Sequence, residues 1–310
     1  MENRKEFYFP SSDGRTQIHA VEWYPADMEP IGILQIAHGV AEYALRYDPF
    51  AQFLNTKGFI VVANDHIGHG LSVAEGAAPL YFGKQDGWKH VVDDMYTLRD
   101  LTGKKYPALP YFLMGHSMGS FLTRTYLIRY PGTVKGAIIM GTGFQPAYMV
   151  AGGRLVAKLA GKRGGAERFS QTVDKLAFGA YNKPFAPNRT SFDWLSVNEE
   201  NVDRYIADPY CGGNTSVGLF YDMLGGIGFI CKQSNVNKMN LNTPILFISG
   251  DHDPVGDMGK GVKAAYESFR TAGVKDVELK LYPGLRHEIL NEKCRDEVYA
   301  DLWVWIEKHL

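Results

Sequence analysis

The sequence predicts an α/β fold built on a mostly parallel central sheet flanked by helices. Three observations lead there: short, nearly unbroken apolar runs, helical stretches alternating with them, and turn residues in between. The runs are residues 31–37 (IGILQIA), Phe59–Asn64 (FIVVAN), 111–114 (YFLM), 135–140 (KGAIIM) and 244–249 (PILFIS). Strands of that composition suit burial on both faces, the habit of a parallel sheet covered by helices.

The elements follow in chain order. Residues 6–24 read as two strands about the turn Ser11-Ser12-Asp13-Gly14. Of these, Gln17–Trp23 (QIHAVEW) alternates polar with apolar, as a half-exposed strand does. Residues 47–57 (YDPFAQFLNTK) form a helix that stops before Gly58. In 88–101 (WKHVVDDMYTLRDL), Trp88, Val91, Val92, Met95 and Leu98 fall on one stripe at helical period. Met118–Arg129 is the next helix, ended by Tyr130-Pro131-Gly132. After 244–249 come a helix at 258–271, the alternating strand Val277–Tyr282 (VELKLY) and a closing helix at 292–309.

The stretch 142–242 shows no buried-strand pattern and is filled by glycine, aromatics and helix-compatible runs such as 155–159. Lying between two core strands, it reads as an insertion. It is either a set of extra surface helices or a cap over an active site, and its length and aromatic content favour the cap. The expected division is a core of residues 1–142 and 243–310 with an inserted, mainly helical cap (lid) at 143–242.

A chain of 310 residues can bury a substantial core without disulfides or metals. Lysine and arginine number 33 against 34 acidic residues, and no polybasic run appears, which argues against nucleic acid as a partner. Cys211, Cys231 and Cys294 form neither a C-x-x-C pair nor a disulfide framework, the usage of a reducing cytoplasm. Residues 1–9 carry basic residues without a following apolar segment. No stretch approaches the roughly 18 apolar residues of a membrane span. A cytoplasmic protein with no stable membrane insertion is expected.

Gly115-His116-Ser117-Met118-Gly119 fits G-x-S-x-G, with a buried-strand run directly before it and a helical run directly after. That order places a serine on a sharp, strained turn with its hydroxyl pushed outward, and glycine on either side relieves the crowding. Ser117 is the expected nucleophile. A hydroxyl needs a base to take its proton. His287, in Tyr282-Pro283-Gly284-Leu285-Arg286-His287, sits on a loop after the last strand and is preferred over His19, His252 and His309. The imidazole needs a carboxylate partner. Ser249-Gly250-Asp251-His252-Asp253 offers two; Asp253 is chosen, and Asp251 is read as an Asx-type brace of the turn. After 31–37 comes His38-Gly39-Val40-Ala41-Glu42, whose glycine lets the chain turn. The backbone N–H groups of Val40 and Met118 are therefore the expected oxyanion donors, with His38 and Glu42 bracing the loop. Asp65, His66 and His69 read as bracing of a glycine-rich loop rather than as metal ligands. Asp251-x-Asp253 lacks the glutamate that a calcium loop would carry at its twelfth position, where Val262 stands.

With these residues in view, the chain resembles the α/β-hydrolase family, and within it the monoacylglycerol lipase, lysophospholipase and serine aminopeptidase-like branch. His38-Gly39-Val40-Ala41-Glu42-Tyr43 is similar to the branch's H-G-x-x-E-H loop, with Tyr43 in place of histidine. Asn64-Asp65-His66-Ile67-Gly68-His69-Gly70-Leu71-Ser72 resembles its D-x-R-G-H-G-x-S loop, with Ile67 in place of arginine. The segment from Leu285 to Glu292 (LRHEILNE) resembles the catalytic-histidine loop of bacterial members. Ser117, Asp253 and His287 also stand in the chain order of this fold. The resemblance implies a lid, no cofactor, and hydrolysis of an ester, amide or thioester with a hydrophobic acyl part, lipid-like esters being favoured. Phe178, Tyr181, Phe185, Trp194, Tyr205, Tyr210, Phe220 and Tyr221 could together line an acyl channel. An aminopeptidase would need acidic groups near the lid for a substrate ammonium, and Glu199, Glu200 and Asp203 are candidates. An acyltransferase would share the acyl-enzyme. A non-catalytic binding protein would usually have lost a member of the triad.

Overall fold

The computed structural model describes residues 3–310; Met1 and Glu2, which open the segment read for a leader, lie outside them. Its strands are β1 (Arg4–Pro10), β2 (Gln17–Trp23), β3 (Gly32–Ala37), β4 (Phe59–Asn64), β5 (Tyr111–His116), β6 (Gly136–Met140), β7 (Ile245–Gly250) and β8 (Val277–Tyr282). They form one sheet in the order β1-β2-β4-β3-β5-β6-β7-β8. The β1–β2 and β2–β4 pairs are antiparallel, and every pair from β4 to β8 is parallel. The helices are α1 (Asp48–Asn55), α2 (Gly87–Lys105), α3 (Met118–Arg129), α4 (Ala147–Gly164), α5 (Gln171–Ala177), α6 (Glu199–Ala207), α7 (Val217–Ile230), α8 (Gln233–Val236), α9 (Lys260–Ala272) and α10 (Arg295–Lys308).

The unbroken apolar runs have a simple physical origin. In β3, Ile33 and Ala37 face one core while Leu34 and Ile36 face the other. The same alternation runs through Ile60/Val61, Leu113/Met114, Ile139/Ile138 and Phe247/Ile248. One core is closed by α2, α3 and α9, through residues such as Val91, Leu122 and Phe269. The other is closed by α1 and α10, through Phe50, Leu54, Leu302 and Ile306. Each such side chain stabilises the fold by about 1.5–3 kcal/mol on burial.

Strand β2 departs from expectation, being buried along its length after Gln17 rather than half-exposed. Its polar members are each given a partner. The buried His19 Nδ1 lies 2.9 Å from Asp65 Oδ2, and Glu22 accepts from Lys105 Nζ at 2.7 Å and from the Tyr106 hydroxyl at 3.1 Å. Alternating polarity here records paired groups, not water. Helix ends shift as well: a 3-10 turn at Ala44–Tyr47 precedes α1, and α2 runs one turn further than expected, where Lys105 reaches Glu22. Asp257, Met258 and Gly259 are left-handed and delay α9, and α10 begins at Arg295 because Ile289–Asn291 forms its own 3-10 turn.

Between the paired strands β6 and β7 the chain passes through α4 to α8 and two 3-10 turns, Lys183–Phe185 and Asp193–Leu195, with no strand among the described residues. This excursion is not uniform. Leu219, Phe220, Ile227 and Ile230 of α7 join the core face of α2 and α3, whereas α4 and α5 expose Tyr148, Met149, Leu155, Leu159 and Leu176. Arg124 of α3, fully buried, ties both ends of the excursion, donating to the carbonyls of Gly143 (2.8 Å) and Ile230 (3.4 Å). Among the described residues no helix is long and apolar enough to cross a membrane.

Candidate active site

Strands β3, β5, β7 and β8 end on one edge of the sheet, where doubly wound folds gather their functional loops. The turn from β5 into α3 is strained: Ser117 has φ +55° and ψ −122°, a region that side-chain-bearing residues avoid. Its N–H is held by the Met140 carbonyl at 3.0 Å. The flanking glycines are required by contact. A Cβ on Gly119 would strike the Ala37 carbonyl, and one on Gly115 would strike the Gly119 carbonyl.

Asp253 follows β7 and His287 follows β8. Asp253 Oδ2 lies 2.9 Å from His287 Nδ1, and both side chains are buried. The carboxylate is fixed by the Ser249 hydroxyl (3.2 Å) and by the Val255 N–H, which donates to Oδ1 at 2.9 Å. That last bond makes Asp253 itself the Asx-type turn residue. Asp251 instead braces across to the neighbouring loop, accepting from the Gly284 N–H at 2.7 Å, which corrects the role expected for it. Gly250 allows these loops to meet, since a side chain there would collide with the Leu285 carbonyl. The His287 ring rests between His116 (4.6 Å) and Trp194 (5.1 Å), and its backbone carbonyl lies 3.1 Å from His116 Nε2.

The loop after β3 is braced as expected. Glu42 Oε1 accepts from the Gly39 N–H at 2.6 Å and from the Tyr47 hydroxyl at 2.9 Å. His38 Nδ1 lies 2.7 Å from the Gly39 carbonyl, and its Nε2 accepts from the His66 N–H. Burial resists ionisation of Glu42, yet the hydrogen bond to His116 and the charge of Arg46 outweigh it and hold the carboxyl well below the usual range. Burial likewise opposes ionisation of Glu288, whose pKa is nevertheless lowered by the Arg46 guanidinium. Arg46 meets Glu288 through two bonds of 2.8 Å and Glu42 through a third of the same length. His38, His66 and His69 pack together beneath the loop, and burial keeps them neutral, pushing His69 down to about 3.

Val40, Ser117, Met118 and His287 border one cavity of about 590 Å³, which residues of the excursion such as Val150, Val156 and Met223 also line. Four of the residues singled out in the sequence for chemistry thus border one cavity, and the fifth, Asp253, is bonded to one of them, His287. Of the aromatics expected at an acyl channel, Phe178, Tyr181, Trp194, Tyr205 and Phe220 border the cavity, while Phe185, Tyr210 and Tyr221 do not. Glu199, Glu200 and Asp203 are exposed and away from it, Asp203 pairing with Arg189 at 2.7 Å. Asp65 accepts the N–H groups of Ala44 and Leu71, and His69 Nδ1 lies 3.0 Å from the Ile67 carbonyl, so this loop is held by hydrogen bonds. Sequence reasoning passed over Arg46, His116, Asn201 and Glu288, and read Tyr205 only as an aromatic of the acyl channel. The bonds that join them to one another, such as Arg46 to Glu288 and Asn201 to Glu288, span long stretches of chain that no spacing announces.

Comparison with known proteins agrees with this fold. The profile of the family described as "Serine aminopeptidase, S33" matches residues 28–294. A monoacylglycerol lipase of Mycolicibacterium smegmatis is 31% identical, over 99% of this chain and 98% of its own. The human monoglyceride lipase is 27% identical, over 92% of this chain and 85% of its own. Among solved structures, a thermostable carboxyl esterase from Bacillus coagulans, crystallised with glycerol, superposes with a TM-score of 0.90 at 30% identity, covering 99% of both chains.

Proposed function

This chain belongs to the serine aminopeptidase S33 family of α/β-hydrolases, and we propose that it is a serine ester hydrolase acting on monoacylglycerol- or lysophospholipid-like esters through Ser117, His287 and Asp253. The observation that carries the residue assignment is the 2.9 Å Asp253–His287 pair, with His287 and the strained Ser117 bordering the same cavity. In this reading His287 takes the proton of Ser117 as its oxygen attacks the ester carbonyl. Asp253 holds the tautomer that keeps the proton on Nδ1 and stabilises the imidazolium. The N–H groups of Val40 and Met118 receive the developing oxyanion, helped by the N-terminus of α3. His287 then protonates the leaving alcohol and later activates the water that frees the acid.

The largely apolar cavity supports a hydrophobic acyl part, and residues 143–242 serve in this proposal as the cap over it. The enzyme is assigned to the cytoplasm, supported by the unpaired Cys211, Cys231 and Cys294, with a small ester and not a nucleic acid as its partner. Replacing Ser117→Ala abolishes hydrolysis of p-nitrophenyl esters and labelling by a fluorophosphonate; undiminished labelling of the variant would refute the assignment. A peptidase reading draws on one carboxylate. Glu42 and Glu288 border the cavity but both are bound to Arg46, whereas Asp174 borders it with no ion-pair partner among the described residues. Monoacylglycerols compared with amino-acid p-nitroanilides decide between the two readings.

A further inference from the structure

Helix α6 lies in the excursion, yet its buried face reaches the loops on both sides of the reacting centre. Asn201 and Tyr205 stand one turn apart and share that face. Asn201 Nδ2 donates to Glu288 Oε2 at 2.7 Å, and the Glu288 N–H donates to the Leu195 carbonyl at 2.7 Å. The residue following the imidazole is therefore held by side chain and backbone at once, both times by the excursion. Tyr205 donates its hydroxyl to the Ala41 carbonyl at 3.0 Å, and the Gly212 N–H donates to the same oxygen at 3.0 Å. Ala41 follows Val40 and has φ +53°, a left-handed conformation that a residue with a Cβ keeps only when its surroundings impose it.

Arg46 joins the two points. Its guanidinium carbon lies 4.9 Å from the centre of the Tyr205 ring, while its nitrogens bind Glu288 and Glu42, and Glu42 in turn holds the Gly39 N–H. Tyr43 adds a further tie, its hydroxyl donating to Asp208 just beyond the end of α6 at 2.9 Å.

We propose that α6 is a two-point clamp on the oxyanion and histidine loops, with Tyr205 and Asn201 as positioning residues for hydrolysis. This rests on the assignment of Ser117, His287 and Val40 above, and it gives the excursion a task beyond covering the cavity. The inner segment sets the reacting geometry, and α4 and α5, which make none of these bonds, are left to admit substrate.

The test uses Tyr205→Phe, which keeps the ring over Arg46 and removes one oxygen, and Asn201→Ala. Each lowers kcat about five- to tenfold, the effect of one lost hydrogen bond, with KM held within about twofold. Affinity for a trifluoromethyl ketone that mimics the tetrahedral state falls by the same factor as kcat/KM. Both variants still bind one fluorophosphonate per chain, more slowly than the parent. Wild-type kcat in both variants overturns the clamp, as does a loss confined to thermal stability or KM with unchanged ketone affinity. Failure of the parent enzyme to label at Ser117 would instead overturn the underlying assignment, so the two failures are distinguishable.

Discussion

Replacing Arg46→Met tests the charge network behind the active site. The guanidinium makes three bonds of 2.8 Å to Glu42 and Glu288, whose side chains are 5% and 3% exposed. Methionine preserves much of the apolar stem and removes the only arginine or lysine bonded to either carboxylate among the described residues. Removing one partner of a buried ion pair costs about 3–5 kcal/mol, because the remaining charge is left uncompensated. With an unfolding entropy of roughly 2.1 cal/mol/K per residue, a chain of 310 residues has about 0.65 kcal/mol/K, so a loss of about 4 kcal/mol lowers Tm by about 6 °C. The pH dependence follows from the lowered carboxyl pKa values. In the parent, their contribution is present above the unfolded carboxyl pKa and is lost only as pH falls through the depressed folded values. In the variant, Glu288 loses the interaction that chiefly opposed its burial, so its carboxyl rises and protonation relieves the strain, while Glu42 keeps His116. The Tm deficit is therefore widest near pH 7.5 and narrows by pH 5. Thermal melts of both proteins at the two pH values measure it. A deficit below about 2 °C, or one that does not narrow on acidification, would refute the argument.

Two further outcomes follow from single side chains. Asp253→Asn lowers kcat about 10³- to 10⁴-fold on a p-nitrophenyl ester by presenting His287 with the wrong hydrogen-bonding partner, and near-parental turnover would rule out its proposed role. Asp94 is buried, which raises its pKa to about 6 despite the bonds it accepts from the Ser11 hydroxyl and the Ser12 N–H. The native state thus keeps a proton that the unfolded chain releases near pH 4, and the parent loses stability as pH climbs from about 4 to about 6. Asp94→Asn removes this loss, gaining at most about 3 kcal/mol at pH 7.5 relative to pH 4, read from urea unfolding at both; a gain that is absent or reversed counts against the buried-carboxylate account.

Much of this architecture is legible in the sequence because it is written in short-range patterns. Runs such as FIVVAN in β4 carry no alternation because both faces are buried, and the G-x-S-x-G turn is recognisable from the elements on either side. The loops bearing Asp253 and His287 could be found because each follows a recognisable strand, an unbroken apolar run for Asp253 and an alternating one for His287. What escaped is long-range pairing. Asn201 and Glu288 lie 87 positions apart, and a glutamate after a histidine looks the same whether it meets water or a buried arginine. Strand β2 misled for the same reason: His19 and Glu22 read as solvent-facing until their partners Asp65 and Lys105 are in place.

The outer strands β1 and β8 leave the sheet with two open rims. Each rim is a row of backbone donors and acceptors onto which another copy's strand could add. Here the rim residues oppose it. β1 begins Arg4-Lys5-Glu6 and closes on Pro10, which has no N–H to offer, and β8 carries Glu278 and Lys280, already engaged by Lys308 and Asp301. A neighbouring chain extending the sheet would have to strip water from these charges and part existing ion pairs. The same charges that solvate the rims thus oppose edge-to-edge addition of further strands.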